Sequence, residues 1–119
     1  MSIEALWAVQ FTGVNGLRLA KSGGVLVVET GRVFGGDTWQ WYVGTYQRIG
    51  DRQYSIQLET GTHNTVGGES IFGGPLRAQK YTGSIQVAED QQSMSASLVV
   101  VGQPTMALTV SLTRVAELP

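Results

Sequence analysis

A chain of 119 residues with no cysteine has the length of one domain, 1–119, and excludes disulfides and thiolate metal sites. Eight basic residues stand against nine acidic ones. Arg18, Lys21, Arg32, Arg48, Arg52, Arg77, Lys80 and Arg114 are spread singly, without the basic patch that nucleic-acid binding calls for.

The first residues, Met1-Ser2-Ile3-Glu4, lack the basic-then-apolar pattern of a secretory signal. No apolar run, Leu98 to Val101 included, comes near the length of a bilayer span. The expectation is a cytoplasmic protein that contacts neither membrane nor nucleic acid directly.

Residues 3–12 alternate, with Ile3, Ala5, Trp7, Val9 and Phe11 on one face, the period of a half-buried strand. Asn15-Gly16 is a hairpin turn signal. Gly23-Gly24 opens Val25-Leu26-Val27-Val28, which is apolar on both faces, and Thr30-Gly31 turns it into Arg32-Val33-Phe34.

The organising stretch follows, Gly35-Gly36-Asp37-Thr38-Trp39-Gln40-Trp41-Tyr42-Val43-Gly44-Thr45-Tyr46. Its aromatics and β-branched residues favour a strand. The glycine pair is expected to supply a positive φ or a bulge, and Asp37 to close an Asx turn. Gly44 leaves room for a close neighbour.

Gly50-Asp51 is the expected next turn. As a two-residue loop it pairs Ile49 with Arg52 and sets Val43 opposite Leu58, which turns Trp39 and Trp41 inward. A one-residue bulge instead brings Tyr42, Gly44 and Tyr46 inward, because a slip exchanges faces. Both registers fit the pattern.

Beyond the turn, Tyr54, Ile56, Leu58, Thr60 and Thr62 form a clean inward set. Residues 63–78 read as a long loop carrying Ile71-Phe72 between glycine pairs, folded back as a lid or plug. Three more strands follow, with inward sets Tyr81, Gly83, Ile85, Val87, then Met94, Ala96, Leu98, Val100, then Met106, Leu108, Val110, Leu112. About eight strands at meander spacing predict an all-β fold, an antiparallel up-and-down β-barrel.

Catalytic chemistry finds little support. His63 is the sole histidine, and Glu59, on the same strand face, lies about 13 Å away. No spacing adds a third metal ligand, and no nucleophile elbow accompanies the serines. Asp37 reads better as a turn residue than as an acid or base. No cofactor is expected and the chain is read as a non-enzyme. Trp7, Trp39, Trp41, Tyr54 and Phe72 are candidates to line a ligand pocket, the competing reading being core and cross-strand pairing.

The strand Ala5-Leu6-Trp7-Ala8-Val9-Gln10-Phe11, the glycine-led strand Gly24 to Val28, Gly35-Gly36-Asp37 followed by Tyr42, Gly44 and Tyr46, and the later Ser70-Ile71-Phe72-Gly73 together resemble the type III secretion negative regulators, the global regulator–repressor family. The resemblance spans most of the chain. It implies a lipocalin-like β-barrel of about eight strands, a homodimer, and action by binding and blocking a transcriptional activator. In the family's best-known member an acidic run sits in the hairpin after the organising strand. Here that hairpin is Arg48-Ile49-Gly50-Asp51-Arg52, so the acidic motif does not carry over and a different protein partner is expected. The alternative reading is a carrier or sensor whose barrel holds a small apolar ligand.

Overall fold

The computed structural model describes residues 2–14, 17–18, 23–63 and 78–119. Strands run β1 Ala5–Val14, β2 Leu17–Arg18, β3 Gly23–Glu29, β4 Arg32–Gly36, β5 Gln40–Gly50, β6 Gln53–Thr62, β7 Gln79–Val87, β8 Ser93–Val100 and β9 Gln103–Ala116. No helix occurs among the described residues. Every pairing is antiparallel, and β1 pairs with β9 as well as β3, so eight strands close into an up-and-down barrel. The two-residue β2 only pairs with the last residues of β1, Gly13 and Val14, at one rim. Closure removes the unpaired edges that would otherwise template aggregation.

Inward positions follow the period of two. Ile3, Ala5, Trp7, Val9 and Phe11 are all buried, as are Leu26, Val28 and Val33. So are Ile56, the alternating apolar sets of β7 and β8, and Leu108, Val110 and Leu112 of β9. Tyr54 and Leu58 are half-buried against this core. Asn15-Gly16 and residues 64–77, including Ile71-Phe72, lie outside the described residues.

The lower rim is made of tight turns. Thr30 and Gly31 both have positive φ, 44° and 81°, the backbone hand that matches strand twist in a two-residue hairpin. Glu4 Oε2 accepts the Thr30 N–H at 2.7 Å and ties this turn to the start of β1.

The β5–β6 turn is Asp51-Arg52, with Gly50 paired to Gln53, and not Gly50-Asp51. The ladder shifts between Arg48 and Gly50, leaving Ile49 as an extra residue. A bulge of this kind decides which set of side chains enters the barrel. Gly44 therefore faces Leu58, and Tyr42 faces Thr60. Of the two registers, the bulged one holds, and the inward placement of Trp41 is corrected: it is 37% exposed, and Val43 is 52% exposed.

A second correction concerns Gly35-Gly36. Neither has positive φ, and both sit in unbroken ladder register, opposite Leu26 and Val25 on one side and Tyr42 and Trp41 on the other. Their role is steric. A Cβ on Gly35 would run into the Val25 carbonyl oxygen, and one on Gly44 into that of Gln57. Strands pressed this close let a small barrel coil tightly.

Candidate functional site

The upper mouth is built around Asp37, where β4 hands over to β5. The Asp37 N–H donates to Gln40 O at 2.9 Å. In return, carboxylate Oδ1 accepts the N–H groups of Trp39 at 2.9 Å and Gln40 at 2.7 Å. Such an Asx turn arises because a short carboxylate reaches donors two and three residues on. The Tyr42 hydroxyl donates to Oδ2.

His63, at the end of β6, joins the same cluster: its N–H donates to Trp39 O and its Nε2 lies 2.9 Å from Asp37 O. Burial foremost, then the bond to Asp37 and its negative charge, hold the Tyr42 hydroxyl well above the usual tyrosine range. Burial pushes Tyr81 up to about 12. Both carboxylate oxygens of Asp37 thus accept hydrogen bonds, Oδ1 within the turn and Oδ2 from β5, as an anchoring carboxylate does.

Below the mouth lies a cavity of about 50 Å3 whose wall is the inner face of the strands, from Ile3 and Val28 at the base to Gln40 and Thr60 at the top. Of the residues read from the sequence as pocket-lining, none of those described belongs to this wall. Trp7 is fully buried but sits at the lower end, its Nε1 donating to Ile3 O at 2.9 Å. Trp39 is half-buried in the turn. Trp41 lies outside, across Gly61, where any Cβ would collide with its indole; an aromatic covering a facing glycine in this way shields the backbone. Tyr54 packs edge to face on Tyr46 with centroids 5.7 Å apart. Phe72 lies outside the described residues.

The lower end is closed by a residue that sequence reading passed over. Arg114 follows Leu112 on the inward face of β9, its side chain only 4% exposed. Its guanidinium stacks on Trp7, 5.1 Å from the ring centroid. It donates to Gln91 O at 3.0 Å, to Ser2 O at 2.6 Å and to the Glu117 carboxylate at 3.1 Å. A buried arginine needs this complete set of acceptors. The signal was present, since the period of two in β9 runs straight through to Arg114.

Outside, two apolar rows cross neighbouring strands in register. One is Leu6, Val27, Phe34 and Val43; the other is Ala8, Val25, Gly36 and Trp41. Val25, Phe34, Trp41 and Val43 are 37–52% exposed. The facing half differs: outward positions of β6 to β9 include Gln53, Gln86, Ser95 and Ser111 in one row and Ser55, Ser84, Ser97 and Thr109 in the next.

The β5–β6 hairpin is less basic than its sequence suggests. Arg48 pairs with Asp51 at 3.5 Å and Arg52 with Glu89 at 3.7 Å. Ile49, thrust out by the bulge, is 61% exposed.

Comparison with protein-family models finds no match to this chain, and comparison with curated proteins finds none either.

Proposed function

We propose that the chain is a non-catalytic regulatory protein that acts by contacting other proteins, and that its first partner is a second copy of itself. The observation that carries this reading is the outer apolar face of β1, β3, β4 and β5, four strands wide and two rows deep. At a strand spacing of about 4.8 Å it extends roughly 15–20 Å, enough for the dry centre of an interface whose remainder is polar rim. Its lower margin carries Glu29 and Arg32, paired at 3.7 Å. A two-fold interface brings the same patch from both copies, so a margin with both signs is compatible with itself.

The resemblance to the type III secretion negative regulators adds the idea that the homodimer holds a transcriptional regulator in check. With Arg48 and Arg52 each beside an acid, the hairpin is locally neutral, and the family's acidic contact has no counterpart there. A partner would meet a neutral tip led by Ile49.

The cavity supports this reading over that of a carrier. Sites for cargo of ordinary size measure about 300–1,000 Å3, against about 50 Å3 here. Light scattering on the purified protein at tens of micromolar tests the proposal. The wild type should be dimeric, with a melting temperature that rises with protein concentration, and Phe34→Glu/Val43→Glu should be monomeric with an unchanged β-sheet circular dichroism spectrum. A monomeric wild type overturns it.

A further inference from the structure

The outer apolar face has relief as well as polarity. On β1 and β4 its lower row carries the larger side chains, Leu6 and Phe34, and its upper row the smaller residues two positions on, Ala8 and Gly36. On β3 the rows are equal, Val27 and Val25, and on β5 the order reverses, with Val43 below and Trp41 above. Phe34 stands out from the sheet, 41% exposed. Gly36 has no side chain and leaves a notch between its ladder partners Val25 and Trp41. The Trp41 indole lies over Gly61 on β6, the far side, and so does not fill that notch.

A face that meets its own copy must fit itself under a two-fold rotation. Two axes in the plane of the interface keep the strands of the two sheets aligned, as packed sheets are. An axis along the strands, between β3 and β4, sets Val27 over the partner's Phe34 and Val25 over the partner's Gly36. Ridge then meets ridge, and a void is left over each notch. An axis along the rows, running between them, instead sets each residue over the one two positions away on its own strand. Phe34 enters the partner's Gly36 notch, Leu6 lies over the partner's Ala8, and Val43 lies over the partner's Trp41. Large side chains meet small ones, which lets two sheets close to the usual spacing of about 10 Å. The exposed Glu29–Arg32 pair on the lower margin is satisfied within one copy at 3.7 Å and contributes little to the choice.

We propose that the dimer is antiparallel, with its two-fold axis lying along and between the two apolar rows. The β4 strands of the two copies then run in opposite directions, and each Phe34 seats in the partner's Gly36 notch. This geometry rests on the homodimer proposed above and specifies how its two faces meet.

The test is an exchange of sizes on β1, read as dimer dissociation constants by sedimentation equilibrium. Ala8→Leu crowds the partner's Leu6 and Leu6→Ala leaves a gap over the partner's Ala8, so each should weaken the dimer about tenfold. Leu6→Ala/Ala8→Leu again sets a large side chain over a small one and should return to within about threefold of wild type. Neither position belongs to the core of the barrel. On the wild type, isotope-filtered NMR of dimers mixed from labelled and unlabelled copies should place the Phe34 ring beside the partner's Gly36. Losses that multiply to about a hundredfold in the double variant overturn the geometry and leave the dimer standing. So do cross-copy contacts from Phe34 to the partner's Val27 in place of Gly36. A monomeric wild type overturns both.

Discussion

Removing the carboxylate of Asp37 should destabilise the barrel through one identifiable set of bonds. Asp37→Ala deletes the acceptor for two backbone N–H groups, at 2.9 and 2.7 Å, a loss comparable to removing a helix cap, about 1 kcal/mol. It also strands the Tyr42 hydroxyl, on a residue only 3% exposed, and an unsatisfied buried donor costs about 1–3 kcal/mol. The sum is roughly 2–4 kcal/mol. Asp37→Asn keeps one oxygen for the N–H groups and offers an amide that the Tyr42 oxygen can accept from, so it should cost about 1 kcal/mol. Tyr42→Phe removes the stranded hydroxyl, and in its presence Asp37→Ala should become cheaper by about 1–2 kcal/mol. Urea unfolding of the four proteins and the double mutant measures all of this. Asp37→Ala within 0.5 kcal/mol of wild type, taken here as about the ordinary surface scatter, refutes the reasoning, and so does additive behaviour of the pair.

Two further outcomes follow from the tyrosines and from the β5–β6 turn. Unfolded tyrosine ionises near pH 10, whereas Tyr81 is pushed up to about 12 and Tyr42 is raised as well. The folded state therefore keeps protons that the unfolded chain has lost. Stability should be intact below pH 10 and fall between pH 10 and 12 by about 1.4 kcal/mol per pH unit for each of the two; a flat urea midpoint over that range contradicts it. Arg52 adopts φ of 58°, a conformation that costs a residue with a Cβ about 1–2 kcal/mol. Arg52→Gly should be more stable than Arg52→Ala by about 1 kcal/mol in the same assay, and the reverse order refutes the strain.

The sequence made the barrel legible because most of its strands obey one rule. From Tyr54 to Leu112 the inward sets could be written down from alternation alone, since antiparallel strands with one wet face must repeat every two residues. The organising strand resisted for a physical reason. Its outward residues, Trp41 and Val43, are as apolar as its inward ones, so hydrophobicity carried no information about direction. Thr60 was readable as inward, but not as a buried hydroxyl left without a partner among the described residues, because partners across a barrel come from strands distant in sequence. The glycine pair misled through its usual association with turns, where the need was for strands to approach closely.

The bulge at Ile49 links the inside of the barrel to its outside. A closed barrel has no spare edge, so the register of β5 against β6 fixes the faces of both strands. With the extra residue, Tyr42 points in and bonds Asp37, while Trp41 and Val43 point out beside Val25 and Phe34. Without it, the faces would exchange: the tryptophan would enter a core that has about 50 Å3 to spare, and the Asp37 carboxylate would lose its tyrosine. One inserted residue at the lower rim thus sets the hydrogen bonds of the upper mouth, the packing of the core and the apolar surface outside. Those three features stand or fall together. An outer face that is costly to leave in water is retained by the same register that builds the core, and in the function proposed above a second protein surface relieves that cost.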